Sequence, residues 1–259
     1  MFDLKVTSSA VRRALLVGLH QEDVTRNAAL ELLEELGQLV DTLGIEVTAR
    51  ELLKVPRLQP RYLIGSGKAS EIASLARQNG AGVIVFDQPI SPAQQRNWEK
   101  LSQGAVIDRE EVILEIFNRR ARTTEARLQV ELARMQYSLP RLKRAWQHLS
   151  RQGGPGMGAM GAGETQLETD RRLVRRRIDY LKHELIQIES RRATRRKQRE
   201  RQGVPHAAIV GYTNAGKSFL FRCLTGAAVL VEDRLFATLD TTTRLVQWQE
   251  GRRLPRSRR

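Results

Sequence analysis

The stretch GYTNAGKSFL, residues 211–220, decides how this chain is read. Gly211 to Ser218 match the spacing of a glycine, four free positions, a second glycine, lysine and serine. Each position has a chemical reason. Gly211 and Gly216 permit a turn that aims backbone N–H groups at phosphate oxygens, with Tyr212, Thr213, Asn214 and Ala215 forming the loop between them. The N-terminus of the following helix adds partial positive charge. Lys217 is placed to neutralise β- and γ-phosphates, and Ser218 to ligate Mg²⁺. The apolar run at 207–210 predicts a strand before the loop, and residues 218–224 predict a helix after it. Strand, loop and helix together predict a P-loop nucleotide site. The alternative is a glycine turn with no ligand.

The rest of the chain sets the context. Its 259 residues suffice for one or two domains with a sizeable core. No run of 18 apolar residues occurs, so no membrane-spanning helix is expected. The N-terminal residues lack the basic stretch and cleavage site of a signal peptide. The single cysteine, Cys223, rules out an intrachain disulfide and a cysteine-built zinc site, which fits a reducing, cytoplasmic compartment.

The formal charge of +15 is unevenly spread. Residues 1–118 carry 13 Lys and Arg against 16 Asp and Glu, whereas residues 119–202 carry 22 against nine. One segment thus supplies nearly all of the excess. Such a segment releases counterions on meeting nucleic acid and is the expected electrostatic footprint. Within it Arg191, Arg192, Arg195, Arg196, Lys197 and Arg199 form the densest cluster and are candidate RNA contacts. A solvated helix face is the alternative.

The first 120 residues alternate apolar runs with helix-period stretches, which predicts an α/β domain. Strands are expected at 14–19, 45–52, 82–87 and 105–108, and helices at 24–44, 66–80, from Ser91, and from Arg109. Ser91 followed by Pro92 is a strong helix start. A seam then runs through Leu128, Leu132, Met135, Leu139, Leu142, Trp146 and Leu149 in steps of four and three. Pro140 is expected to kink it. Six glycines between Gly153 and Gly163 predict a loop that touches something or merely links. A second seam follows at Leu167, Val174, Ile178, Leu181, Leu185 and Ile188. Two seams joined by a loop predict an antiparallel two-helix coiled coil. The expected division is an N-terminal α/β domain at 1–120, a basic helical hairpin at 121–202 with a glycine-rich loop at 153–163, and the start of a P-loop domain at 203–259.

After the phosphate loop comes RLFATLDTTTRLVQW, residues 234–248. In switching NTPases a threonine after the first helix reaches Mg²⁺ and the γ-phosphate. Thr238, Thr241, Thr242 and Thr243 are candidates on spacing. GYTNAGKS followed by LFATLD and TTR resembles the HflX family of GTPases, within the wider Obg-like group. So do RYLIGSGKASEI at 61–72, FDQPISPAQQRNWE at 86–99, VIDREEVILEIF at 106–117, RARTTEARLQVELA at 120–133 and GAGETQLETDRR at 161–172.

The resemblance covers almost the whole chain. It implies a G domain behind the hairpin, binding to the large ribosomal subunit and its RNA, and splitting or rescue of ribosomes under stress. It implies GTP or GDP with Mg²⁺, a monomer in the cytoplasm, and no membrane insertion. Carried over by motif position, Phe236, Ala237, Thr238, Leu239 and Asp240 form the first switch, and Ser218 with Thr238 holds the metal. ATP is the alternative nucleotide. An ATP activity ascribed to the family's N-terminal region has Lys68 as its candidate, although a plain helix start is the favoured account of that lysine.

The sequence departs from the family at Phe219, where threonine is usual, at Arg222 for asparagine, and at Thr241 for proline. Lys217 and Ser218 are unaffected. No D-x-x-G or N-K-x-D follows Gly251, so the sequence reads as a chain cut within its G domain, with weak nucleotide affinity expected. GTP hydrolysis is therefore left open, with a non-catalytic RNA-binding fragment and a P-loop ATPase as alternatives.

Overall fold

The computed structural model describes residues 13–21, 25–142, 159–201, 207–212, 215–226, 243, 244 and 246. Strands β1 (Arg13–His20), β2 (Glu46–Lys54), β3 (Val83–Phe86) and β4 (Ala105–Asp108) alternate with helices α1 (Arg26–Thr42), α2 (Ser66–Gln78), α3 (Pro92–Ser102) and α4 (Arg109–Arg120). The strands form one parallel sheet in the order β2-β1-β3-β4. A parallel sheet is covered on both faces, so its central strands are apolar at every position. The buried sequences VIVF in β3 and ALLVGL in β1 obey this.

Alternation then sorts the side chains. Leu15, Val17, Ile84 and Phe86 face a core with Ile72 of α2 and Trp98 of α3. Ala14, Leu16, Val83 and Val85 face a second core with Leu33, Leu36 and Val40 of α1 and Val112 and Ile116 of α4. Gly18 continues the second face. A Cβ there would sit 3.1 Å from Leu52 and 3.4 Å from Leu33, so the missing side chain is what lets α1 approach the sheet.

The helix starts follow the expected chemistry. Ser91 caps α3, accepting from the Gln94 N–H, while the Gln94 side chain accepts from the Ser91 N–H. Thr25 caps α1 and Asp108 caps α4. Trp98 is fully buried, 4.9 Å from the Phe86 ring and 5.7 Å from that of Tyr62, and its Nε1–H donates to the Tyr62 carbonyl at 3.0 Å. The neighbouring Leu63 adopts φ +65°, held by reciprocal backbone hydrogen bonds with Gln59 at 2.8 and 2.9 Å.

Helix α5 (Thr124–Ser138) folds back along α4, with Ala126 and Val130 packed against Phe117 and Ala121, and α6 (Ala159–Arg201) packs against α5. The two seams meet: Leu142, Ile178 and Leu181 are buried, and Leu128, Leu132, Met135, Leu139, Val174, Leu185 and Ile188 are half-buried. Arg177 pairs with Glu131 at 2.8 Å and Arg192 with Glu125 at 2.5 Å, so the partners run in opposite senses along the two helices.

Three expectations are altered. Pro140 does not kink a continuing α-helix. α5 ends at Ser138 and passes into a 3-10 turn, Leu139–Arg141, because proline supplies no N–H and its ring clashes with the preceding turn. The glycine-rich segment is not a loop throughout, because α6 already includes Gly161 and Gly163. Each glycine costs about 1 kcal/mol in a helix, but extending an existing helix gains a hydrogen bond per residue. Ala207–Val210 forms no strand: no described strand lies beside it, and Ile209 and Val210 are exposed. Trp146, Leu149 and residues 153–158 lie outside the described residues, as do Leu245, Gln247 and Trp248 of RLVQW, whose alternation reads as an exposed-edge strand.

Candidate functional site

Helix α7 (Lys217–Thr225) begins at Gly216, whose φ of +76° is the left-handed conformation that favours glycine. Gly216 is the N-cap and contributes no side chain, and a Cβ placed on it would meet nothing within 4 Å. The approach to the first turn of α7 is therefore lined by bare backbone. The Ala215 N–H donates to the Tyr212 carbonyl at 3.3 Å, and the Leu220 N–H to the Gly216 carbonyl at 3.0 Å. The ammonium of Lys217 donates to the Tyr212 carbonyl, arching the side chain back over the loop. Its Cδ passes 3.6 Å from where a Gly211 Cβ would stand, so Gly211 leaves room for that arch.

A cation and an uncapped helix start thus lie together at the head of α7, with Ser218 the next residue along the helix, a setting suited to an oxyanion. The bare cradle at Gly216 fits a nucleotide phosphate, and Ser218 supplies an oxygen fit for Mg²⁺. Thr213, Asn214, Phe236, Ala237, Thr238, Leu239, Asp240, Thr241 and Thr242 lie outside the described residues; Thr243 is described and exposed. Cys223 is exposed on α7, as are Phe219, Leu220 and Leu224.

The basic cluster lies on the last turns of α6. Arg191, Arg195, Arg196 and Lys197 are exposed there, and Arg199 falls in the same helix. Arg192 is different, because it is engaged with Glu125 of α5. The sequence could not separate it from its neighbours, since the partner lies 67 positions earlier.

Lys68 sits in the first turn of α2 and donates to Glu71 at 2.6 Å, one helical turn on. That contact pushes its pKa above the ordinary lysine value. Lys54, Arg57, Gln59, Gly65 and Lys68 line a cleft of about 320 Å³ beside it. The geometry is that of a helix start with a local ion pair.

A polar cluster that the sequence reading did not single out lies where the last turn of α5 meets the start of α4. Asp108 is fully buried and Glu111 nearly so. Tyr137 of α5 donates toward Asp108 Oδ1 (3.0 Å) and stands 3.1 Å from Glu111 Oε2. Arg141 stacks on the Tyr137 ring at 3.5 Å and donates to the Ile90 carbonyl at 2.9 Å. The available signal was an aspartate and a glutamate three apart at a helix start, which reads locally as capping alone.

Fold and loop together define the class: an α/β chain of P-loop NTPase type with a parallel sheet and a phosphate-loop motif. Comparison with known proteins then specifies it. Three family descriptions match in succession: GTP-binding GTPase N-terminal over residues 31–118, GTP-binding GTPase middle region over 120–199, and 50S ribosome-binding GTPase over 206–254. The GTPase HflX of Akkermansia muciniphila is 50% identical over 261 residues, covering 98% of this chain and 60% of that protein. The GTPase HflX of Escherichia coli is 46% identical over 239 residues, covering 92% and 55%. The chain belongs to the HflX family of GTPases. It spans 60% and 55% of the length of these two relatives. Among solved structures, a GTP-binding protein from Sulfolobus solfataricus in complex with GDP aligns at 25% identity and a TM-score of 0.49, over 83% of this chain and 54% of that one. Among the described residues, no helix is long and apolar enough to cross a membrane.

Proposed function

We propose that this chain binds GTP or GDP with Mg²⁺ and acts on ribosomes in the HflX manner, docking on the large subunit and its RNA to split or rescue them under stress. In this reading residues 1–120 form an α/β domain, 121–202 an antiparallel coiled-coil arm that contacts RNA, and 203–259 the part of a G domain that carries the phosphate loop. The protein works as a cytoplasmic, ribosome-associated monomer. The observation that carries the reading is the loop itself: a left-handed Gly216 opening α7, with Lys217 folded over it.

Gly211, Tyr212, Thr213, Asn214, Ala215 and Gly216 surround the phosphates with backbone, and Lys217 neutralises them. Ser218 and Thr238 hold Mg²⁺, and Phe236, Ala237, Leu239 and Asp240 complete the switch. The metal, when bound, supplies charge neutralisation at the phosphates. Lys217 has two partners available in turn: the Tyr212 carbonyl without ligand and phosphate oxygens with it. Exchanging a neutral acceptor for an anionic one strengthens the hydrogen bond.

Lys217→Ala removes a hydrogen bond to a charged group, worth about 1.5–3 kcal/mol. The expected result is a loss of GTP affinity of about 10- to 150-fold, read by calorimetry with Mg²⁺ on the purified chain. Equal affinities for the two proteins would sink the nucleotide reading. Competition with ATP decides base preference.

The second reading, a ribosome- or RNA-binding module that needs no nucleotide, is favoured by the concentration of charge on the arm. Large-subunit binding that survives Lys217→Ala unchanged would support it. For either reading, changing Arg195, Arg196 and Lys197 to Glu should flatten the salt dependence of large-subunit binding, lowering the log–log slope by about three. An unaltered slope would leave these residues as a solvated helix face.

A further inference from the structure

We propose that Asp108, Glu111, Tyr137 and Arg141 form a proton-locked joint between the sheet domain and the helical arm, closed while Glu111 carries a proton and loosened when that proton leaves. The residues come from both sides of the junction. Asp108 ends β4 and Glu111 lies in the first turn of α4, whereas Tyr137 lies in the last turn of α5 and Arg141 closes the 3-10 turn after Pro140. They meet where the last turn of α5 reaches the start of α4.

The case rests on counting hydrogens. A tyrosine hydroxyl has one. The Tyr137 oxygen lies 3.0 Å from Asp108 Oδ1 and 3.1 Å from Glu111 Oε2, so it cannot donate to both. Asp108 is equipped to be the anion. Its Oδ1 accepts the Glu111 N–H at 3.0 Å, and its Oδ2 accepts the Ile90 N–H at 3.2 Å and lies 3.6 Å from Arg141 Nη2. Asp108 therefore takes the tyrosine hydrogen. The contact with Glu111 is then a hydrogen bond only if Glu111 Oε2 carries a hydrogen and donates it to the tyrosine oxygen. Oε2 also meets Gln95 Nε2, a long contact at 3.4 Å from a nitrogen that also donates to the Val106 carbonyl at 2.6 Å.

Comparison with α3 sharpens the point. There the residue at the third helical position, Gln94, turns back to its own cap. In α4 the equivalent Glu111 goes to the arm instead. The groups facing Glu111 are Asp108 at the end of β4, Gln95 of α3, Tyr137 of α5 and Arg141 of the 3-10 turn. Two carboxyl groups thus share one cation. Burial, together with the Asp108 charge, pushes the Glu111 carboxyl up to about 7, against the Tyr137, Arg141 and Gln95 contacts that lower it. Burial also pushes the Tyr137 hydroxyl up, so the tyrosine keeps its hydrogen throughout.

A carboxyl whose value is raised in the closed joint favours closure fully below the ordinary glutamate value of 4.5, and that contribution is lost as pH rises through about 7. The opening equilibrium should therefore climb by up to about tenfold per pH unit across the window. The test is hydrogen exchange on the full chain at residues 135–142, corrected for intrinsic exchange and followed from pH 4.5 to above about 7. Wild type should open as pH rises. Glu111→Gln, a neutral side chain whose amide can donate to the tyrosine oxygen, should remain closed and pH-independent. A carbon-detected titration of glutamate carboxyls in wild type supplies a check that needs no variant: one glutamate should titrate near 7. Matching pH profiles in wild type and Glu111→Gln, or the absence of any glutamate titrating above the ordinary range, would overturn the proposal.

Discussion

Replacing Trp98 with alanine is expected to destabilise the sheet domain by about 3–5 kcal/mol, the usual cost of emptying a large buried aromatic site. The side chain is fully buried between α3 and β3 and packs edge-on to Tyr62 and tilted against Phe86. Its removal has three effects at once. It leaves a cavity, strips two ring contacts, and orphans the Tyr62 carbonyl that accepts its Nε1–H. That carbonyl precedes Leu63, the residue held at positive φ. Loss of the anchor should therefore also free the 59–65 segment. Urea unfolding followed by circular dichroism measures the first effect, and exchange of the Leu63 amide the second. Trp98→Phe keeps most of the volume but not the donor, and should fall between. A change below about 1 kcal/mol for alanine would mean that the core collapses to fill the site, contrary to its close packing.

The second large effect is expected from Asp108→Ala, about 3–5 kcal/mol, as for removing one partner of a buried charge pair. The carboxylate is fully buried, caps α4, accepts two backbone N–H groups, and faces Tyr137 and Arg141. Alanine leaves all of these donors behind. Arg141→Ala should cost less, because that guanidinium retains some exposure and the backbone N–H groups still serve Asp108. The double substitution should cost less than the sum of the singles, since removing the second charge relieves the first vacancy. Strict additivity in thermal or urea unfolding would show that Asp108 acts through its cap alone. The two large predictions also separate. Trp98 tests the packing on one face of the sheet, and Asp108 tests the junction between sheet and arm.

Much of the fold was legible because its signals are local. Apolar runs named β1, β3 and β4. Ser91 with Pro92 announced α3. The two seams were legible for the same reason, and Ile178 and Leu181 became buried as their spacing required. The phosphate-loop motif was legible because its chemistry restricts residue type at Gly211, Gly216, Lys217 and Ser218. Local signals failed where they conflicted with context. Gly161 and Gly163 read as loop yet lie in α6, because helix extension outweighs their intrinsic cost. Ala207–Val210 read as a strand but pairs with no described strand, because a ladder needs a neighbour that apolar character does not supply. Arg192 looked like its basic neighbours, and only packing of α5 against α6 brought it to Glu125.

The sequence by itself determined where the four strands and the helices of the sheet domain lie, which helical faces are apolar, where the charge lies, and that Gly211 to Ser218 have the composition of a phosphate loop. These follow from hydrogen-bond geometry and side-chain periodicity over a few residues. The tertiary structure decided the order β2-β1-β3-β4, the close approach of α1 at Gly18, and the meeting of Asp108 and Glu111 with Tyr137 and Arg141. Periodicity states which face of an element is buried but not what buries it. That choice belongs to contacts between distant parts of the chain, and here it placed two buried carboxyl groups around one tyrosine hydroxyl.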